Sequence, residues 1–230
     1  MGSILRQPGS RPPEPGYALR MSQKETAARL LDDAGETFAA EAGITLDDKP
    51  APLYRLLVLT VLLSSRVQAK LGTRACRELV DSDLGTPDKM AAATHEQVHD
   101  ALDRAKFLSK DQTADALVEG AQLVADRWSG DLRGMRSEAD GDADRLAELL
   151  TEVPRLGPVG ADIFLREVQA VWPEFRPHLD GKATDGAKAV GLPQDAAALA
   201  DLVDDGDLAR FAAALVRAGL DDEVAARVSR

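Results

Sequence analysis

A single cysteine, Cys76, stands in 230 residues. No disulfide framework can be built from it, and no cysteine cluster for zinc or iron–sulfur. A reducing, cytoplasmic compartment fits that usage, and Cys76, set in an apolar-periodic stretch, reads as a small core residue. Long apolar runs are missing too. The longest, Leu56–Leu63, is interrupted by Thr60 and followed by Ser64, Ser65 and Arg66, far short of the roughly 20 residues a membrane helix needs. Aromatic residues make up 4%, too few for a pocket built from stacked rings. There is no alternating strand pattern, no Asn-Gly hairpin signal and no fixed-period repeat. The opening MGSILRQPGSRPPEPGYALR is rich in Pro, Gly and Arg and lacks the apolar centre of a signal peptide. Residues 1–20 therefore read as a flexible tail, with Met21 as an alternative start.

Positive charge is scarce: 28 Lys and Arg stand against 39 Asp and Glu, a net of −11. That balance argues against a protein that coats nucleic acid without specificity, although a site needs only a local field. The acid is uneven. From Asp195 to Arg230 there are eight acidic and four basic residues, a net of −4, whereas Val61 to Lys110 carries eight basic and seven acidic, a net of +1. The C-terminal segment is the part least suited to face a polyanion.

What is present is helix after helix. Ser22 and Glu25 have capping-box spacing, and the apolar set Ala27, Leu31, Ala34, Phe38 and Ala42 predicts a helix to about Ala42, where Gly43 can end it. Gly35 within it weakens the pattern by about 1 kcal/mol against alanine. Leu53–Ser64, almost wholly apolar, predicts a central buried helix, and Arg66–Val80 an amphipathic one. Thr86–Pro87 opens a short helix. Thr94 with Gln97 and Ser109 with Gln112 open two more, to about Arg104 and Arg127. Residues 128–141 read as a charged loop. Helices are predicted over Asp142–Glu152, from about Ala161 to Val171, and over Asp185–Val190, Asp195–Val203 and Leu208–Ala218, with a last turn from Asp221. The fold class is all-α.

Chemistry gathers around residue 157. In VPRLGPVGADIF (Val153–Phe164) two glycines stand three apart, followed by a helix. Glycine lets backbone turn sharply and approach a partner closely. The unpaired amides and positive dipole end of the next helix suit a phosphate. An ordinary tight helix–helix connection has the same composition. Asp180 follows Pro177 and precedes a helical stretch, a common N-cap arrangement; Asp185 is a second capping candidate. His95 and His99, four apart on one helical face, are a possible metal pair without a clear third ligand. Phe107, Trp128 and Trp172 read as core or interface residues.

Four segments together resemble the helix-hairpin-helix DNA glycosylase superfamily, in particular its endonuclease III-like members. PLYRLLVLTVLLSSR (Pro52–Arg66) is similar to that family's apolar helix ending in Leu-Leu-Ser and a DNA-inserting residue. RAKFLSKDQTA (Arg104–Ala114) resembles its Gly-Leu-aromatic-Asn-Ser-Lys-Ala segment through Phe107, Ser109 and Lys110. LGPVGAD (Leu156–Asp162) resembles its hairpin Leu-Pro-Gly-Val-Gly through Leu156, Val159 and Gly160. HLDGKATDGAKAVGL (His178–Leu192) is similar to its Val-Asp-Thr-His segment and the Gly-Leu beyond, with Asp180 on the catalytic aspartate. The resemblance covers about residues 52–192, with 128–141 as an insertion. A second register of the hairpin pairs Pro154, Gly157 and Ala161 instead. It puts Arg155 on the first family glycine and Val159 where bifunctional members carry a lysine. In the first register that lysine position is Asp162. Neither supplies an amine for a Schiff base.

The resemblance implies a two-lobed helical glycosylase fold. One six-helix lobe would span about residues 52–160, ending in the hairpin; the other would combine residues 21–51 with 161–230. It implies binding of damaged double-stranded DNA, flipping of a nucleotide and monofunctional hydrolysis of the N-glycosidic bond in base-excision repair. Asp180 would be the ionised carboxylate. Arg66, Lys110, Arg155, Gly157, Gly160 and Lys182 would contact DNA. No metal or other cofactor is expected, the family's four-cysteine iron–sulfur motif being absent. The chain is expected to act as a cytoplasmic monomer. The same residues are also compatible with a DNA-binding protein that has lost catalysis, or with a helical protein-interaction module.

Overall fold

The computed structural model describes residues 15–65 and 67–228. The chain runs α1 (Pro15–Ala34), α2 (Phe38–Glu41), α3 (Pro50–Leu63), α4 (Ala69–Asp81), α5 (Pro87–Ala91), α6 (His95–Arg104), α7 (Lys110–Trp128), α8 (Leu132–Ala139) and α9 (Ala143–Thr151). It continues with α10 (Pro158–Val168), α11 (Gly181–Ala189), α12 (Ala196–Ala200), α13 (Leu208–Leu220) and α14 (Asp222–Val228). Short 3-10 turns lie at Pro173–Phe175 and Asp205–Asp207. No strand occurs among the described residues, and the all-α expectation holds. Nor is any helix among them long and apolar enough to cross a membrane.

The apolar run predicted to be central forms α3. Pro50 sits in its first turn, where a missing N–H breaks no bond. Leu53, Leu56, Leu59 and Leu62 are wholly buried, each contributing about 1.5–3 kcal/mol. Around α3 pack α4, α7, α8 and α10. Beyond α10 lies a second set, in which α13 packs on α1, α10, α11 and α14. Helix α10 therefore touches both groups, meeting α3 and α9 with one part of its surface and α13 with another. Cys76, Phe107, Trp128 and Trp172 are all buried, as their settings predicted. Burial pushes the Cys76 thiol up to about 12.

The N-terminal helix departs from its expected course. It begins at Pro15, so residues 15–20, read as tail, are helical; residues 1–14 lie outside the described residues. Ser22 is inside the helix and caps nothing. The break comes at Gly35, where a Cβ would meet the Leu31 carbonyl oxygen at 2.2 Å. A new helix, α2, starts after Thr37, whose hydroxyl accepts from the Ala40 amide. A buried carboxylate from α10 completes that start: Glu167 accepts from the Phe38 and Ala39 amides at 3.1 and 2.9 Å. Burial raises the Glu167 pKa, and the two amides oppose that shift. Arg217 of α13 lies over the Phe38 ring and donates to Glu41 and to the Ala34 carbonyl.

Three further readings are corrected. The stretch read as a charged loop at 128–141 contains α8, started by the Asp131 side chain on the Arg133 amide and buried through Leu132, Met135 and Ala139. The Ser109–Gln112 capping box does not form. Ser109 has left-handed backbone, φ +59°, and Gln112 is turned to Arg155. Asp185 lies inside α11 rather than at its start.

Candidate nucleic-acid interface and active site

Helices α9 and α10 form the hairpin. The turn is made at Arg155, whose φ is +64°, and not at either glycine. Its guanidinium donates to Gln112 Oε1 at 2.8 Å, which ties the hairpin to the first turn of α7. Gly157 is the N-cap of α10, with φ −91°, and has no side chain with which to cap. A Cβ there would meet nothing within 4 Å. Pro158 has no amide proton, and the amides of Val159 and Gly160 have no carbonyl one helical turn before them. The result is an open helix start with a positive dipole end. Val159 beside it is 61% exposed. Gly160 does a different job. It is buried, and a Cβ there would press on the Ser64 hydroxyl at 2.6 Å and on Leu156 at 2.9 Å. Its lack of a side chain lets α10 seat on the end of α3.

Asp180 is the N-cap of α11, its Oδ1 accepting from the Ala183 amide at 3.1 Å. The same oxygen accepts from Arg166 of α10 at 3.3 Å. Both side chains are only 7% exposed. A guanidinium is protonated at every working pH, so the carboxylate has a fixed counter-charge beside it. Oδ2 has no hydrogen-bond partner among the described residues. One oxygen is thus held by the fold while the other stays free for a substrate or a water. Capping and a chemical role are compatible in this geometry.

Next to it stands a pair that sequence reasoning missed. His178 Nε2 lies 3.1 Å from Asp162 Oδ1. Burial, the largest influence, lowers the His178 pKa; Asp162 and Asp180 pull it up, and Arg166 pushes it down. Asp162 is the residue that replaces the lysine in the first register, and it faces an imidazole. The available signal was the polar set Asp162, Arg166 and Gln169, spaced four and three apart along a largely apolar stretch that also carries Glu167.

The remaining candidates are scattered. Arg66 lies outside the described residues; Ser64, the C-cap of α3, lies against Gly160 of the hairpin. Lys110 is paired with Asp103. Lys182 is mostly exposed, 4.0 Å from Asp185. His95 and His99 stack with centroids 6.0 Å apart, and His95 Nδ1 lies 2.7 Å from Asp115. That contact raises the His95 pKa. No group of three or more His, Cys, Asp or Glu among the described residues is arranged to hold a metal ion.

The course of the backbone matches endonuclease III as captured in a trapped covalent intermediate with DNA, an estranged-adenine complex. The TM-score is 0.54 over 87% of this chain and 84% of that one, at 15% identity. The fold is that of endonuclease III. No family model matches the sequence, and no curated protein does either. At 15% identity the endonuclease III likeness is one of helix arrangement.

Proposed function

We propose that this chain is a monofunctional DNA glycosylase of the endonuclease III type. It would bind a damaged duplex, flip one nucleotide into the cleft between a lobe of about residues 52–160 and the remainder, and hydrolyse the N-glycosidic bond. The observation that carries this is Asp180: a nearly buried carboxylate with one oxygen tethered and the other free, in a fold otherwise found holding DNA. Breaking a glycosidic bond leaves positive charge on the sugar, and a fixed carboxylate stabilises it. The open start of α10 supplies a seat for a backbone phosphate without reading bases, with Arg155, Gly157 and Gly160 around it. Arg66, Lys110 and Lys182 would add weaker contacts, two of them shared with acidic neighbours. Neither hairpin register places an amine where bifunctional members carry the lysine that attacks the sugar to form a Schiff base, so the reading is a hydrolytic one, and no resident metal or other cofactor is invoked.

The test is base release. Purified protein is incubated with duplexes carrying alkylated, oxidised or deaminated bases, and freed bases are identified by mass spectrometry. Release of one class is expected. An inert protein that still binds abasic-site DNA with strong salt dependence would instead favour a binding module that has lost catalysis. No DNA binding at all would favour a protein-interaction role.

The phosphate seat has its own test. Gly157→Asp adds a good capping side chain where there is open space, so thermal stability should hold or rise by a few tenths of a kcal/mol. The same carboxylate would occupy the anion site. Affinity for abasic-site DNA, read by fluorescence anisotropy, should fall at least about tenfold, the loss of one charge-assisted hydrogen bond. Unchanged affinity would remove the hairpin from the interface.

A further inference from the structure

Asp162 and Arg166 of α10 and Gln169 at its C-cap share one face, at i, i+4 and i+7. Each of them holds the segment that leads into α11. Gln169, wholly buried, clamps the backbone of His178 from both sides: its Nε2 donates to the His178 carbonyl at 3.0 Å and its Oε1 accepts from the His178 amide at 3.0 Å. Arg176 donates to the carbonyls of Gln169 and Ala170 at 2.6 and 2.9 Å. Arg166 holds Asp180 and Asp162 meets the His178 ring. Residues 176–180 are strapped along the helix, which fixes an imidazole two residues from the carboxylate.

The orientation of that ring follows from its partner. An ionised carboxylate only accepts, so the imidazole proton belongs on Nε2 toward Asp162, and the lone pair is left on Nδ1. Nδ1 has no hydrogen-bond partner among the described residues. Asp180 is engaged differently: Arg166 and the Ala183 amide both bind its Oδ1.

We propose that His178 is the proton acceptor of this site and that Asp162 positions it, while Asp180 stabilises the charge on the sugar. The proposal rests on the glycosylase reading and divides its labour between two groups. The water oxygen bonds to C1′ of the deoxyribose. The C1′–N bond breaks and its electron pair leaves with the base. The proton of the water passes to Nδ1, and the imidazolium returns it to solvent, from which the departed base is protonated. The charged groups facing the ring are Asp162 and Arg166 from α10 and Asp180 from its own segment. Burial is the largest influence and keeps the imidazole neutral down to a pH below the ordinary 6.5. It can therefore accept a proton across the neutral range.

The experiment is the pH profile of base release for wild type, His178→Gln and Asp162→Asn, with the nitrogen-15 spectrum of the His178 ring recorded alongside. Wild type should show an acid limb below pH 6.5. His178→Gln should lose that limb and about 100-fold in rate, with its thermal unfolding close to wild type. Asp162→Asn removes a charge that raises the imidazole pKa, so the limb should move to lower pH. The ring should show the Nε2–H tautomer at neutral pH. A His178→Gln variant that keeps both the limb and the rate overturns the proposal and leaves the glycosylase reading standing. An Nδ1–H tautomer overturns it as well. A wild type that frees no base from any duplex overturns both, and is recognised because no variant is needed to see it.

Discussion

Gly186→Ala is expected to destabilise this protein by more than about 3 kcal/mol, beyond the usual range for overpacking. The site is where α11 crosses α13. A Cβ at Gly186 would lie 1.7 Å from the Leu215 carbonyl oxygen and 2.5 Å from its carbon. On the other helix, a Cβ at Gly219 would meet the Gly186 Cα and amide nitrogen at 3.1 Å. These are backbone atoms, which cannot rotate out of the way as a side chain does. The helices would have to separate by an ångström or more along a contact that also buries Ala183, Ala187 and Leu215. With total stabilities of about 5–15 kcal/mol, the midpoint of thermal unfolding should fall by about 6–12 °C or more. A fall under 2 °C would mean that the crossing is looser than these distances require. The effect should also reach the site, because Asp180 caps the helix that is displaced.

Asp180→Asn is expected to lower base release about 10²–10³-fold, and its interpretation needs a second variant. Asparagine keeps an oxygen for the Ala183 amide, so the cap survives. It removes the counter-charge from Arg166, whose side chain is only 7% exposed. Stranding one member of a buried pair typically costs about 3–5 kcal/mol. A loss of activity could then reflect a loosened fold. Replacing both, as Arg166→Met with Asp180→Asn, takes out the stranded charge and should recover much of the lost stability. If the double variant is stable and still inert, the carboxylate acts on the reaction. If it releases base at wild-type rate, Asp180 is a cap and no more.

The legible parts of the sequence were those written locally. Thr94 and Gln97 form the reciprocal capping box their spacing announces, Asp142 and Asp195 cap α9 and α12, and the apolar run makes α3. What failed was decided by distant partners. Ser109 and Gln112 have the same spacing as Thr94 and Gln97, but Arg155, 43 residues away, takes the Gln112 side chain. The first helix stops at Gly35 because Glu167 rewards a fresh helix start at Phe38, across 129 residues. Helix α8 hid behind its charges, although Leu132, Met135 and Ala139 mark a buried stripe. At the site, Asp180 could be found from its segment. Its pairing with Arg166, and that of His178 with Asp162, could not, because only the folded chain brings α10 alongside residues 176–180.

Helix α10 also acts as a measuring rod. Its open end is at Gly157 and its grip on Asp180 is at Arg166. Nine residues at 1.5 Å each put about 13 Å of stiff helix between the two. If a phosphate rests on the first point and a sugar on the second, their separation is gauged by helical rise rather than by a loop. One residue added within the rod would lengthen it by about 1.5 Å and turn the far face by about 100°. The face that carries Asp162, Arg166 and Gln169 would then be turned relative to the hairpin, or split if the residue were added between them. The number of residues between hairpin and grip is accordingly a constraint on this chain, independent of which side chains fill the interval.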